Sequence, residues 1–404
     1  MGEKFKYIRE RAGGSNMNVL MISLDSTLAM DKNKIIGDSQ DRHILYGKYL
    51  SNLFIIVPSP KGVKLGIKKL SVNVTVYPTP SHGLRFVWDA YKIGRRICKE
   101  NKIDVITTQD PLLTGLVGYL LKRKFNIPFN VQLHGNYLDN EFWLKNSKLF
   151  HVWNMIGKFV VKGADCVRVV SSIIRDTLIN KLGISSEKVI TFPVFTDVSK
   201  FENSGLKDNL KEKYRDFENI VLFVGALIKR KNIESLLSAA PDVINKYPKT
   251  LVLIIGEGEE KVQLSKLSTK LGIEQNIRFE GKVTQEELPS YYQACSLFVL
   301  PSKEDGWGRV VIEALACGKP VIVSDACGVS DVVTNAECGF VFPIDRADIL
   351  AEKIIYPLEH PELSKKMGER GRRYVIETLD IKKNAYKYRE VYERTIELAK
   401  RKRI

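Results

Sequence analysis

The chain has 404 residues, 44% of them hydrophobic, and a formal net charge of +16. That length holds about two or three domains, and an ordinary globular composition excludes a fibrous or low-complexity chain. No apolar run approaches the ~20 residues of a membrane span, and the opening MGEKFKYIRERAGGSN has charge without the hydrophobic stretch of a signal peptide.

The charge is uneven, with +14 over residues 1–200, −4 over 201–380 and +6 over the last 24. A basic first half suits an anionic membrane, an anionic substrate or a nucleic acid, or serves solubility alone. The six cysteines form no C-x-x-C pair and read as reduced, buried residues of a cytoplasmic protein. The five histidines show no metal-ligand spacing, so no structural metal is expected.

In chain order, residues 1–17 read as a leader, expected to be disordered, with Met17 as an alternative start. Asn18–Leu24 reads as a first strand, followed by the loop IGDSQDRH, a helix at 44–50 and a strand at 53–57. Gly37, Asp38 and Ser39 in that loop are equally the residues of a turn and a helix cap. Strands at 72–77, 104–108 and 129–134 alternate with helices at 84–100 and 112–124, the pattern of βαβ units on a parallel sheet. Ligands lie at the carboxyl ends of such strands, which singles out His134, at a strand end beside Gly135.

Residues 141–161 carry Phe142, Trp143, Phe150, Trp153 and Phe159 with lysines at helical spacing, a pattern that fits either a bilayer interface or a buried face. Strands at 166–171 and 189–192 flank a helix that runs to Leu182, and beyond Pro193 the chain turns polar like a hinge. The second half opens with a strand at 220–224. Arg230 and Lys231 then precede a helix beginning near Asn232, where two cations beside free N–H groups could clamp a diphosphate. A Lys-Arg-Lys run is otherwise a solvated loop. Strands at 251–255 and 276–281 follow, the second leading to Lys282 and Val283.

The stretch Leu297–Asp325, LFVLPSKEDGWGRVVIEALACGKPVIVSD, reads as strand, glycine loop, helix and strand. Gly306 and Gly308 allow close backbone approach, and the helix after them aims its N–H groups at the loop. Asp305 and Glu313, separated by seven residues, could grip hydroxyl groups while the helix end holds phosphate. A last strand at 339–343 and helices at 361–379 and 381–400 close the chain.

This stretch resembles the signature of the GT4-type retaining glycosyltransferases, an acid, seven residues and Glu running into a segment like EALACGKPVIVSD. The resemblance implies an α/β GT-B fold: two Rossmann-like domains with parallel sheets facing a central cleft, and a C-terminal helix crossing back to the first domain. It divides the chain into a leader 1–17, an acceptor-side domain 18–195, a hinge region 196–219, a nucleotide-sugar domain 220–379 and a crossing helix 380–404.

The implied site follows residue by residue. Glu313 would hold the ribose of the donor. Asp305, Gly306, Trp307 and Gly308 would face the donor sugar. His134 would contact that sugar near the reacting carbon, Arg230 and Lys231 would neutralise the diphosphate, Val283 would border the base and Gly37 would approach the phosphates. This sequence departs from the family pattern in four places. Asp305 stands at the spacing where the family has Glu, and Glu304 is one step early, so which carboxylate reaches the sugar stays open. Ala226 replaces an arginine, which points to Arg230. Asp38 and Ser39 replace a glycine pair before Asp41, Arg42 and His43. Only the ends of the family's crossing motif match, in Pro193 to Asp197.

The expected activity is retaining transfer of a hexose-type sugar from a UDP-, GDP- or other nucleoside-diphosphate sugar. No metal and no other cofactor is expected. The expected acceptor is a lipid-linked or cell-envelope glycan, with the enzyme on the cytoplasmic face of an anionic membrane. Alternatives are a nucleotide-sugar 2-epimerase of the same architecture, a nucleic-acid-directed glucosyltransferase or binding protein, and an inactive scaffold. The acid-seven-Glu loop argues against the first, the want of a reader motif against nucleic acid as partner, and the presence of both clamp and Glu313 against the last.

Overall fold

The computed structural model describes residues 17–34, 38–60, 62–63, 65–146, 148–202 and 208–402. Residues 1–16, Gly37, residues 203–207 of the expected hinge and the side chain of Phe142 lie outside them. Two compact units result. The first takes in the described residues up to Val169, Arg175–Phe192 and Ala385 onward, and the second Val170–Ile174 and Pro193–Asn384. The described residues of the stretch expected as a hinge fall in the second unit, and the chain's last helix in the first.

The first unit is built on strands β1 (Asn18–Ile22), β2 (Asn52–Pro58), β3 (Lys68–Ser71), β4 (Val74–Thr79), β5 (Val105–Thr108), β6 (Phe129–Leu133), β7 (Cys166–Val169) and β8 (Val189–Thr191). They lie in the order β3-β4-β2-β1-β5-β6-β7-β8. Every neighbouring pair is parallel except β3 with β4. Strands such as LFIIV and VITT are buried throughout because helices cover both faces of a parallel sheet. β3, with sequence KKLS, has no apolar alternation and was not expected as a strand; its lysines suit an edge, where charge discourages further pairing.

The second unit is built on β9 (Asn219–Val224), β10 (Thr250–Ile255), β11 (Ile277–Gly281), β12 (Leu297–Leu300), β13 (Val321–Ser324) and β14 (Gly339–Phe342). The order is β11-β10-β9-β12-β13-β14, all parallel. Chain order reverses between β9 and β12 here, and between β1 and β5 in the first sheet. Two loops diverge at each of these switch points and leave a crevice at the strand ends, where open α/β sheets take their ligands.

Helices Leu84–Glu100 and Leu113–Phe125 lie within a residue of their expected limits. The C-terminal segment differs: the expected helix over 381–400 breaks into Ile381–Asn384 and Lys387–Arg401, and the break falls where the chain passes from one unit to the other. Lys387–Arg401 packs on β6 and β7 through Tyr388, Val391, Tyr392, Thr395, Leu398 and Ala399, a stripe at the 3–4 residue helical spacing. The expected helix to Leu182 is Ser172–Asp176 followed by a π-helical turn, Thr177–Lys181. Among the described residues no helix is long and apolar enough to cross a membrane.

Candidate active site

In the second unit the loops after β9 and β12 emerge side by side at the switch point. The first makes a 3-10 turn, Lys229–Lys231, and the second runs from Pro301 to Gly308 before the helix Arg309–Ala316. The loops are tied by backbone. Lys303 N–H donates to the Arg230 carbonyl at 2.8 Å, and the Asn232 side chain donates to the Pro301 carbonyl at 3.2 Å from a left-handed backbone, φ +51°.

This register brings together residues 74 positions apart. Lys231 Nζ pairs with Asp305 Oδ2, and Arg230 Nη1 lies 3.7 Å from Glu304 Oε2. The cation pair and the two carboxylates are one cluster. Asp305 Oδ1 accepts from the N–H groups of Trp307 and Gly308 at 3.3 and 2.9 Å, so Asp305 also shapes the loop as an Asx turn. Gly308 sits at φ +78°, where glycine carries no Cβ penalty, and ends the loop at the first turn of the helix. Trp307 is buried, and its indole Nε1 has no hydrogen-bond partner among the described residues.

Glu313 is buried one helical turn further on. Its Oε2 accepts from the Tyr292 hydroxyl at 3.0 Å, and its Oε1 lies 3.4 Å from Arg309 Nε. Burial of Tyr292 beside Glu313 holds that phenol well above its usual pKa. Val283 is elsewhere, after β11 and three positions from β12 in the sheet.

Two glycines outside the expected site proved structural to it. A Cβ on Gly328 would lie 2.0 Å from the Gly306 carbonyl oxygen, and Gly328 N–H donates to the Asp305 carbonyl at 2.8 Å. Gly256, from the GEG turn, has φ +135° and would put a Cβ 1.9 Å from the Gly225 carbonyl oxygen. Both serve close backbone contact at the strand ends.

In the first unit His134 follows β6 and lines a cavity of about 150 Å³ at the switch point between β1 and β5. Asp25, Arg42, His43, Gln109 and Tyr388 line it as well. His134 Nε2 is buried without a partner among the described residues, and burial, with Arg168 and Arg42 nearby, holds its pKa well below the ordinary histidine value. His43 is held at about 4, chiefly by burial. Its Nδ1–H donates to the Ser39 carbonyl at 2.7 Å and its Nε2 accepts from Gln109 at 3.4 Å, the pattern of a neutral imidazole.

The wall behind His134 is a buried polar chain. Gln132 donates to Thr107 at 2.9 Å, Thr107 to Asn130 at 3.1 Å, and Arg168 Nη1 to Gln132 at 2.5 Å. Arg168 also stacks 5.0 Å from the rings of both Phe192 and Tyr388. Asp25, Gln109, Gln132 and Arg168 were not singled out from the sequence. The available signal was polarity at strand ends and within the buried runs FNVQL and CVRV.

Two α/β units built on largely parallel sheets, each with polar side chains gathered at its switch point, match the architecture of the GT-B glycosyltransferases. Sucrose-phosphate synthase from Thermosynechococcus elongatus is similar over 94% of this chain and 98% of its own, with TM-score 0.77 and 21% identity. Anabaena HepE in complex with UDP is similar over 93% of this chain and 100% of its own, with TM-score 0.72 and 16% identity.

Residues 207–374 match the family described as Glycosyl transferases group 1, and residues 53–200 the one described as Glycosyltransferase Family 4. The chain belongs to this GT4-type glycosyltransferase family and is an enzyme of that class. An uncharacterized glycosyltransferase of Methanocaldococcus jannaschii is 28% identical over 75% of this chain and 80% of its own length. The alpha-monoglucosyldiacylglycerol synthase of Streptococcus pneumoniae is 27% identical over 70% of this chain and 67% of its own.

Proposed function

We propose that the enzyme transfers a hexose-type sugar, with retention of configuration, from a nucleoside-diphosphate sugar to a lipid-linked or cell-envelope acceptor at the cytoplasmic face of a membrane. One observation carries the reading: Arg230 and Lys231 converge with Glu304 and Asp305 at the switch point of the second sheet, in front of a helix N-terminus. There a diphosphate would displace carboxylates as the partner of the two cations. Negative charge developing on the leaving group would meet charges and amides already in place, the form of stabilisation that needs no reorganisation during the reaction. Glu313 would take the ribose hydroxyls, and Trp307 Nε1 offers a donor to the sugar.

His134 is held neutral, so it would act on the sugar as a hydrogen-bonding group rather than as a cation. No side chain of the cluster is placed as a covalent nucleophile in this reading, and attack by the acceptor on the face the leaving group vacates accounts for retention. The cations make a divalent ion unnecessary. The donor class draws support from HepE, whose structures hold UDP and UDP-glucose, and the acceptor class from the diacylglycerol-modifying relative.

The test is a transfer assay with UDP-glucose, UDP-N-acetylglucosamine and GDP-mannose, a polar lipid extract as acceptor, and excess EDTA. Nucleoside diphosphate should be released from one donor, and the product should keep the donor's anomeric configuration by proton coupling constants. An inverted product, or activity abolished by EDTA and restored by Mg²⁺, contradicts the reading.

A further inference from the structure

The first unit holds a second concavity, a groove of about 650 Å³ whose wall includes Leu84, Leu112, Leu113, Val152 and Ile156. This volume is within the range of about 300–1,000 Å³ usual for small-molecule sites. The groove borders the cavity of His134: Leu24 and Asp110 of its wall are chain neighbours of Asp25 and Gln109, and Tyr137 follows His134 by three residues. From this adjacency we propose that the groove binds the hydrocarbon chain of an amphiphilic acceptor, whose hydroxylated head occupies the polar cavity. The proposal deepens the function above and rests on its acceptor being delivered to His134.

Three observations select a hydrocarbon chain. Asp110, the charged residue of the wall, is consumed locally: its Oδ1 accepts from Leu112 N–H at 2.7 Å and its Oδ2 from Thr114 Oγ1 at 2.7 Å. Burial raises its pKa, which further disfavours charge there. A peptide would find few partners for its backbone in such a groove, whereas a chain without polar groups needs none.

The outer lip is apolar. Of the thirteen large apolar side chains exposed among the described residues, four line the groove, Leu24 (44%), Leu84 (72%), Leu149 (62%) and Val152 (52%), and Met155 (71%) stands on the same helix as the last two. Leu149, Val152 and Met155 recur at three-residue spacing on the helix Lys148–Gly163, so one helix face is turned to solvent rather than to the core. The helices that border the groove also carry basic residues: Lys148 and Lys162 are exposed on Lys148–Gly163, and Lys92 of Leu84–Glu100 lies over the Trp88 ring, charges that complement anionic lipid headgroups.

The test uses the full-length protein and n-alkyl β-D-glucosides of six to twelve carbons, each below its micelle concentration, with binding read by calorimetry. Affinity should rise roughly fourfold per added methylene until the groove is filled. Val152→Glu at the lip should weaken dodecyl glucoside binding by about tenfold or more, because a carboxylate would be desolvated by the chain. Met155→Glu, on the same helix but outside the groove wall, should change it less than about twofold.

Affinity independent of chain length would overturn the proposal. So would equal losses in the two variants, which would place the chain on the outer helix face, or a Val152→Glu effect confined to self-association. Stabilisation by nucleoside diphosphates, measured on the same samples, separates the readings: intact nucleotide binding with no chain binding sinks the groove alone.

Discussion

Asp305 has two tasks that substitution can separate. Its Oδ1 holds the Trp307 and Gly308 amides, which asparagine can also do, while its Oδ2 carries the charge that faces Lys231. Asp305→Asn should therefore keep stability within about 1 kcal/mol of the parent, whereas Asp305→Ala, losing both amide bonds, should cost about 2 kcal/mol in urea unfolding. If the seven-residue spacing identifies the sugar-facing acid, Asp305→Asn should lower turnover more than Glu304→Gln; the opposite order gives the role to Glu304.

His43 supplies a pH prediction. Burial depresses its pKa from 6.5 to about 4, so between these values the unfolded chain takes up a proton that the folded chain refuses. Stability is fully present above pH 6.5 and is lost as the pH falls towards 4, on the order of 3 kcal/mol for this one group. His43→Gln should flatten the pH dependence between 7 and 4.5 relative to the parent. His134 titrates in the same direction and remains in both proteins, so identical slopes would show that His43 is not the cause.

At the scale of elements, the site depends on how closely two loops approach. Gly328 stacks on the backbone of Gly306, and a methyl there cannot be relieved by a side-chain rotation. Gly328→Ala should destabilise by about 2 kcal/mol or more in urea unfolding and lower donor affinity by displacing Asp305. Parental stability would show that the loop has room to shift.

This dependence also explains what could be read from the chain. Apolar runs such as LFVL and VIV identify buried strands, and the pattern of Asp305, Gly308 and Glu313 is local in sequence and therefore legible. The pairing of Lys231 with Asp305 spans 74 positions and is set by β9 lying beside β12, a neighbourhood that no local periodicity encodes. Gly328 was silent for the same reason. The wall behind His134 was hidden differently: Gln132 and Arg168 sit in otherwise apolar strands, and their purpose emerges only when β6 and β7 pair and place one beside the other.

For the whole molecule, each unit has the same plan: a sheet that is wholly or largely parallel, a reversal of strand order, and polar groups gathered where the loops part. The first collects neutral histidines and a buried arginine, the second a compact cluster of two cations and two carboxylates. That difference in contents supports the proposed division of labour, in which the first unit would receive the acceptor and the second would hold the charged donor.

The most direct test of this account is thermal unfolding of the intact enzyme and of Glu313→Ala with UDP, GDP and ADP, with and without EDTA. A ligand bound only by the folded state stabilises by about 2.7 kcal/mol at a hundred times its dissociation constant. One nucleotide should raise the melting temperature of the parent irrespective of EDTA and leave Glu313→Ala nearly unmoved. Equal shifts in both proteins, or none with any nucleotide, would contradict the placement of the donor at this cluster.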